Sequence, residues 1–242
     1  MLSLAIDSSG DICSLALGKG PELICEHHFH HKMSLLRRIN VEIEHVLSAS
    51  GFGVRDIEGI AVSLGPGSFT GLRIGVTTAK SLAYTLGCPI VGVPTLDALA
   101  AGAGPWNGPV CPMIHARSGE VYWAIYREGE RVSIDGDYYL VGPVQEAVQK
   151  AQELALDCAQ SRQCSQALFC GGGAVVNAQM IVGLAGTGCV IAPRWQSFAR
   201  GAVLLNLASA RLDSGDTDDP YSLVPIYVRK PTPVVRAEAQ GH

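Results

Sequence analysis

The segment that most constrains the fold is Gly65–Arg73, which reads GPGSFTGLR. It follows an apolar run, Ile57–Leu64, that is typical of a buried strand, and it leads into a helical pattern, Gly71–Leu86, that Gly87 ends. A strand joined through a short glycine loop to a helix is a basic unit of α/β proteins. The segment therefore predicts an α/β fold.

The same loop has the features of an anion site. Gly65 and Gly67 permit positive φ angles and the close approach of another backbone. We predict Thr70 as the N-cap of the helix, with Ser68 as the alternative, so that free amides at the helix start can hold a phosphate. A tight strand-to-helix turn without a ligand explains the same residues, and the loop alone favours it. No Gly-Lys-Ser/Thr follows, so the loop is not a Walker motif.

The predicted elements occur twice in one order, as three strands, a helix, a strand and a helix. The first half has predicted strands at Leu2–Asp7, Cys13–Leu17, Glu22–Glu26, Ile57–Leu64 and Ile90–Val93, with helices at about 36–47, 71–86 and 95–101. The second half has predicted strands at Val110–His115, Val121–Tyr126, Val132–Leu140 and Ala167–Cys170, with helices at about 144–154 and 197–212. This duplication indicates two small α/β subdomains that face each other across a cleft.

A stretch rich in glycine and proline, Gly102–Pro109, separates the two halves. We predict an N-terminal subdomain over residues 1–105, completed by the helix at 197–212, and a smaller second subdomain over residues 106–196. Residues 213–242 are predicted to form an extended C-terminal tail.

The amino-acid composition indicates which cellular location and which binding partners to expect. The formal net charge is −4, so no overall basic field attracts nucleic acid. The eight cysteines contain no C-x-x-C pair and lie in apolar runs, which predicts buried free thiols in a reducing cytosol. The N-terminus lacks the basic start of a signal peptide, and no uncharged apolar run reaches the length of a membrane span. We expect a cytoplasmic globular protein without membrane contact.

The helix after the glycine loop has a small residue at every fourth position, from Gly71 to Ala83. Such a line lets another backbone approach closely, either from a sheet of the same domain or from a helix of a second chain. Apolar residues flank the line on both sides, and a helix that is apolar nearly all round is buried on more than one side. In so small a subdomain this burial favours a partner. The predicted interface comprises Leu35, Leu36, Ile39, Ile43, Gly71, Leu72, Gly75, Val76, Ala79, Leu82 and Ala83.

Three motifs, Ile6–Ser9, Gly65–Gly75 and Ala79–Ala83, closely resemble the TsaB (YeaZ) family. The similarity is dense over residues 1–126 and continues more thinly to the Tyr-Val-Arg motif that begins at Tyr227. It implies a bacterial protein with an actin/Hsp70/sugar-kinase-like (ASKHA) fold of two subdomains facing a cleft. It also implies a role in making N6-threonylcarbamoyladenosine in tRNA.

The resemblance further implies the partners. In this family TsaB is a paralogue of the catalytic subunit TsaD and pairs with it through helices of the first subdomain, and the nucleotide-hydrolysing subunit TsaE completes the complex. The chain is therefore expected to be a scaffold or activator that forms a heterodimer with TsaD. Alone it is expected to form a homodimer, and tRNA is expected to be reached only indirectly.

Two departures from TsaD-like proteins argue against catalysis. Where those proteins place two metal-binding histidines four residues apart, this chain has Thr95 and Leu99, and leucine cannot bind a metal. Where they place a metal-binding aspartate before the final helix, Pro193–Phe198 offers no carboxylate. The chain is thus expected to be a pseudo-enzyme that needs no metal and no cofactor.

An active ATPase or phosphotransferase of the same fold is the alternative. Asp7 ends the first strand, where actin-fold enzymes keep an aspartate near the phosphates, although a turn aspartate that bonds to the backbone of Ser9 or Gly10 explains it better. Gly171–Gly173 resembles the glycine motif that contacts adenosine, or is a simple strand-to-helix turn. Weak ATP or ADP binding would involve Asp7, Ser8, Gly65, Gly67, Ser68, Gly171, Gly172 and Gly173.

Two other interpretations have less support. The clustered histidines at positions 27, 28, 30 and 31 are better explained as an exposed strand end than as a metal site. A peptidase activity lacks both a zinc motif of the H-E-x-x-H type and a recognisable serine–histidine–aspartate arrangement.

Overall fold

The computed structural model describes residues 1–31, 33–160 and 165–228 and contains two sheets with the same strand order. The first sheet is built from β1 (Leu2–Asp7), β2 (Ile12–Lys19), β3 (Glu22–His30), β4 (Gly59–Gly65) and β5 (Ile90–Pro94). Its order is β3-β2-β1-β4-β5, in which β1 is antiparallel to β2 and parallel to β4, and β4 is parallel to β5.

The second sheet repeats this arrangement. Its strands are β6 (Val110–His115), β7 (Glu120–Trp123), β8 (Ile125–Arg127), β9 (Glu130–Val132), β10 (Leu140–Pro143), β11 (Ala167–Cys170) and β12 (Cys189–Ile191). The order is β10-β7-β6-β11-β12, with β6, β11 and β12 parallel, while β8 joins β6 to β9. The predicted duplication is confirmed.

Seven helices of the described chain cover these sheets. They are α1 (Leu35–Ala49), α2 (Phe69–Leu86), α3 (Thr95–Gly102), α4 (Val144–Gln160), α5 (Gly172–Val176), α6 (Ala178–Ala185) and α7 (Gly201–Ser214). Alternate residues of β1 point to opposite faces. Leu4 and Ile6 pack with α1 and α2, whereas Ala5 packs with α3 and α7. The layer of α3 and α7 also contacts β6 of the second sheet, so its apolar core is shared by both subdomains.

The predictions for the second half contain errors. The single strand predicted at Val132–Leu140 is wrong, because Asp135 and Gly136 adopt positive φ angles and form a turn between β9 and β10. The strand predicted at Val121–Tyr126 divides at Ala124 into β7 and β8. Helices α5 and α6 and strand β12 were not predicted. The final helix begins at Gly201, four residues later than predicted.

Residues 216–227, which we call the C-terminal strap, lie against the first subdomain. The amide of Asp218 donates to Ile90 O at 2.9 Å at the edge of β5, and the amide of Ile226 donates to Leu64 O at 2.8 Å. Leu223 is buried in the core beneath α2. The part of the predicted tail beyond residue 228 lies outside the described residues.

The predicted free thiols are confirmed for the seven described cysteines. Four are buried, at positions 13, 111, 158 and 170, whereas those at 25, 88 and 189 are partly exposed. In the described ranges, no helix combines the length and the apolar character needed to cross a membrane.

Candidate functional site

The end of β1 carries a buried carboxylate. Asp7 is 1% exposed, and its Oδ1 accepts a hydrogen bond of 3.3 Å from the amide of Ser9. Its Oδ2 is buried and accepts no hydrogen bond from the described residues. Burial disfavours the charged form and raises the pKa of Asp7 to about 6. The Asp–Ser9 turn contact that the sequence suggested is present, together with one unsatisfied carboxylate oxygen.

The glycine loop packs directly on the turn after β1. The amide of Ser68 donates to Ser9 O at 2.7 Å, and a Cβ added at Gly67 would overlap that same oxygen. The amide of Gly65 donates to the hydroxyl of Thr95 at 3.1 Å. The chain itself therefore uses two of the loop's amides and lies very close to the loop, as a tight structural turn requires.

The predicted N-cap at Thr70 is wrong, and the alternative, Ser68, is confirmed. Helix α2 begins at Phe69, and the hydroxyl oxygen of Ser68 accepts a hydrogen bond of 3.3 Å from the amide of Gly71. The helix starts two residues too early for Thr70 to cap it, because Thr70 already lies in its first turn. A phosphate bound at this helix start stays a prediction.

The line of small residues on α2 faces the chain's own sheet. A Cβ at Gly71 would overlap Ser8 O, and a Cβ at Gly75 would overlap Ser8 Oγ. The Ser8 hydroxyl fills the space between them and donates to Gly71 O at 2.9 Å. Ala79 and Ala83 are also buried in the core of the first subdomain. Of the two predicted neighbours for this line, the sheet of the same domain is present.

Most of the predicted interface lies in that core. Leu36 is 72% exposed and Leu82 is half-buried. The other predicted interface residues are buried, namely Leu35, Ile39, Ile43, Gly71, Leu72, Gly75, Val76, Ala79 and Ala83. Within the single chain the sheet and α1 cover much of α2, but the flank of Ile74, Thr78 and Leu82 is only half-buried, so burial of this flank by a partner stays a prediction. The assignment of the two helices to an interface stays a prediction.

The glycines after β11 are needed for packing. Gly171 has φ +87°, and a Cβ there would lie 2.5 Å from Met113 O and 3.1 Å from Leu99 Cδ1. A Cβ at Gly173 would lie 2.9 Å from the carbonyl carbon of Met113, and one at Gly172 would lie 3.5 Å from Ser197 O. These contacts favour the strand-to-helix turn, while adenosine binding at the same glycines stays a prediction.

The two residues that replace the metal-binding histidines pack inside the protein. Thr95 is 1% exposed and accepts the amide of Gly65, and Leu99 is 3% exposed and lies against Gly171. The histidines of β3 do not gather around a common point. His27 Nε2 lies 3.0 Å from Glu42 Oε2, and His28 Nε2 lies 3.5 Å from Glu26 Oε2. The described residues contain no group of three or more residues suited to hold a metal ion.

A polar cluster that the sequence did not reveal joins the two subdomains. The Oδ1 of Asp97, on α3, accepts hydrogen bonds from the Tyr126 hydroxyl at 2.6 Å and the Tyr139 hydroxyl at 2.7 Å. Arg131 Nη1 donates to the Tyr139 oxygen at 2.7 Å. Burial, together with the adjacent Asp97, raises the pKa of the Tyr126 hydroxyl, so that it stays a donor. The only signal in the sequence is an acidic residue in the first turn of a helix.

Two surface grooves lie away from the strand ends that carry Asp7 and Gly171. One has a volume of about 330 Å³ and lies between α2 and the C-terminal strap. The other has a volume of about 220 Å³ and lies between α7 and the β2–β3 hairpin.

Comparison with known proteins defines first the class and then the family. The fold is that of the actin/Hsp70/sugar-kinase class, and YeaZ from Pseudomonas aeruginosa superposes with a TM-score of 0.74 at 23% identity, covering 93% of this chain and 99% of that one. The family model described as TsaD, tRNA N6-adenosine threonylcarbamoyltransferase, matches residues 18–180, which is more than half of the chain.

Two relatives are named tRNA threonylcarbamoyladenosine biosynthesis protein TsaB. The protein from Bacillus subtilis is 30% identical over 231 residues, covering 95% of this chain and 94% of its own. The protein from Escherichia coli is 41% identical over 133 residues, covering 54% of this chain and 57% of its own. The chain therefore belongs to the TsaB (YeaZ) family of tRNA threonylcarbamoyladenosine biosynthesis.

Proposed function

We propose that this chain is a non-catalytic scaffold or activator subunit that pairs with TsaD for the N6-threonylcarbamoyladenosine modification of tRNA. One observation carries the proposal. Leu99, at the position of one of the two metal-binding histidines, is 3% exposed and lies so near the glycine turn after β11 that a Cβ added at Gly171 would come 3.1 Å from its Cδ1. A leucine side chain in that contact leaves the protein no metal ligand at this position, and the chemistry then belongs to the partner.

The rest of the assembly follows from the family. TsaE completes the complex, the chain forms a homodimer when it is alone, and tRNA contacts the chain only indirectly, in line with the net charge of −4. The proposed location is the cytoplasm, and the proposed activity requires no cofactor.

Pairing with TsaD is tested through the exposed member of the predicted interface. Leu36 is 72% exposed on α1, so replacing it changes the surface and leaves the core intact. Leu36→Asp is expected to weaken association with TsaD at least about tenfold, because a carboxylate would be buried at the contact. Leu156→Asp is the matched control, since Leu156 is 64% exposed on α4 of the second subdomain. Equal affinities for TsaD in both variants would remove α1 from the interface.

Nucleotide binding in the cleft is the second candidate, and one observation favours it. The buried Oδ2 of Asp7 accepts no hydrogen bond from the described residues, and a water or a nucleotide-bound cation would satisfy it. Calorimetric titration with ATP and with ADP tests this, with Asp7→Asn as the control. Heat from the parent chain that the variant lacks would support a retained site, and no heat from either would end this alternative.

A further inference from the structure

The two edges of the first sheet differ in how readily another strand could pair with them. The edge strand β3 carries charged side chains along its length, including Glu22 and Glu26, and such charges discourage pairing with another chain. The opposite edge strand, β5, reads Ile-Val-Gly-Val-Pro and carries no charge. Uncharged segments rich in β-branched residues pair readily with further strands. The outer edge of β5 therefore needs a different means of protection.

The free backbone groups of this edge belong to Ile90 and Gly92. The carbonyl oxygen of Pro89 faces β4, where it accepts the amide of Ile60 at 3.0 Å. Because backbone groups alternate in direction along a strand, those of Ile90 and Gly92 face away from β4. In the described ranges no strand continues the sheet beyond β5. These two residues thus present the acceptor and the donor that a further strand would use.

A single residue of the C-terminal strap, Asp218, bonds to both of these residues. Its amide donates to Ile90 O at 2.9 Å, and its Oδ2 accepts the amide of Gly92 at 2.7 Å. The carboxylate oxygen takes the place of the backbone carbonyl that a paired strand would supply. Ile90 and Asp218 form an isolated antiparallel bridge, so the strap pairs with β5 at one residue only. The strap thus closes the edge without presenting a new strand edge of its own.

Arg211 on α7 holds the carboxylate of Asp218 in this position. Its Nη2 donates to Asp218 Oδ1 at 3.1 Å and its Nη1 donates to Oδ2 at 3.4 Å, so the guanidinium contacts both oxygens. Its Nε donates to Asp216 Oδ2 at 3.1 Å. Further along the strap, Leu223 is buried, and Lys80 Nζ donates to its carbonyl oxygen at 2.9 Å. The contact at Asp218 is therefore fixed on both of its sides.

We infer that the C-terminal strap is an edge cap, in which Asp218 blocks the outer edge of β5 and prevents the strand of another chain from adding to the first sheet. The strap follows α7 in the same chain, so the cap binds as a tethered segment at a high effective concentration. Loss of the Asp218 contact should open the edge and lead to assembly of the folded chain through its sheets. The inference goes beyond the proposed function and does not depend on TsaD.

Hydrogen exchange at the Gly92 amide tests whether Asp218 closes the edge. Asp218→Ala removes the acceptor of this amide, and its exchange is expected to become at least about tenfold faster. Asp218→Asn keeps an acceptor oxygen and should preserve much of the protection. Asp216→Ala is the matched control, because Asp216 binds the same Arg211 guanidinium but lies outside the bridge to β5. Unchanged exchange of Gly92 in Asp218→Ala would overturn the inference.

Sedimentation velocity and light scattering on the full chain measure the consequence for assembly. Asp218→Ala is expected to form assemblies larger than those of the parent that bind thioflavin T, whereas Asp216→Ala keeps the size of the parent. Ser68→Ala controls for lost stability, since it removes the cap of α2 and leaves the strap unchanged. Assemblies of Asp218→Ala no larger than those of the parent, or equally large assemblies of Ser68→Ala, would contradict the inference.

A second variant covers the case in which Asp218→Ala does not fold, as judged by circular dichroism. Arg211→Gln leaves Asp218 in the chain but frees its carboxylate, so Gly92 exchange should again become faster, by a smaller factor than in Asp218→Ala. With Asp218→Ala unfolded, Gly92 exchange in Arg211→Gln equal to that of the parent would overturn the inference.

Discussion

The two faces of α2 show how one helix separates packing from recognition. On the inner face, Gly71 and Gly75 have no side chain because Ser8 occupies the space, and the contact closes the end of β1. On the outer face, Phe69 and Tyr84 are large, exposed and paired with aromatic residues of the strap. The side that faces the sheet is thus built for close packing, and the side that faces solvent carries residue types that often dominate binding at interfaces.

The difference between the two faces of α2 indicates which part of the chain we expect to carry its function. Groups that could support chemistry, such as Asp7 and the glycines of the second subdomain, are buried against neighbouring strands and turns. The exposed aromatic residues Phe69 and Tyr84, by contrast, lie on the solvent face of α2. A chain that acts through its outer surface and keeps its strand ends closed fits the role of a partner subunit.

The largest expected effect comes from filling the inner face. Gly75→Leu would force a side chain into Ser8 Oγ and the buried strand behind it, and should lower the free energy of unfolding by about 3 kcal/mol or more. A line of small residues that faced only a second chain would tolerate this change in the monomer, whereas the contact of Gly75 with Ser8 means that we expect the fold itself to be disrupted. Thr85→Leu, on the exposed side of α2, should change stability by no more than about 0.5 kcal/mol. Urea denaturation of both variants measures their free energies of unfolding. Equal values for Gly75→Leu and Thr85→Leu would contradict the prediction.

The next effect concerns the cluster that joins the subdomains. Asp97→Ala leaves the hydroxyls of Tyr126 and Tyr139 without their acceptor and should cost about 2–3 kcal/mol. Hydrogen exchange should become faster in α3 and β8, the two elements that the Asp97–Tyr126 hydrogen bond connects. Asp97→Asn keeps an acceptor oxygen, so its free energy of unfolding should lie between those of the parent and of Asp97→Ala. If Asp97→Ala retains the stability and exchange of the parent, the cluster does not hold the subdomains together.

A substitution at Asp7 is expected to have a smaller effect on the free energy of unfolding, and this effect is stabilising. Its pKa in the folded protein, about 6, lies above the ordinary value of 3.8, so the folded state binds the proton more tightly than the unfolded state. Stability should therefore fall as the pH rises from about 4 to above 6, as the buried carboxylate becomes charged. Asp7→Asn removes this charge and should raise the free energy of unfolding at pH 8 by about 1–2 kcal/mol. Denaturation across this range checks the prediction, and a variant that is less stable than the parent at pH 8 would show that the charge is compensated.

The smallest effect tests the cap of α2. Ser68→Ala removes the oxygen that accepts the Gly71 amide and should cost about 1 kcal/mol. Thr70→Ala should leave the free energy of unfolding unchanged or raise it by a few tenths of a kcal/mol, because Thr70 is exposed inside the helix and alanine is the better helix former. The reverse order of stabilities in thermal denaturation would restore Thr70 as the cap.

The first subdomain could be predicted from sequence because its patterns are local and regular. Alternating residues of β1 and the four-residue spacing on α2 identify both elements without knowledge of their neighbours. Helix α6 was missed because Ala178–Ala185 contains no charged residue and shows no polar face to set against an apolar one. The Asp97 cluster could not be predicted from the acidic residue in the first turn of α3, because its hydrogen bonds join residues 29 and 42 positions apart. The neighbour that packs against the line of small residues on α2 could not be predicted either. A sheet of the same domain and a helix of a second chain would both require the same glycines.

The most direct test of the central claim is threonylcarbamoyl transfer to tRNA by purified TsaD and TsaE, measured with and without this chain. The account predicts transfer when all three proteins are present, no transfer by this chain alone, and little or none when it is omitted. Undiminished transfer without the chain, or transfer catalysed by the chain alone, would contradict its role as a non-catalytic partner.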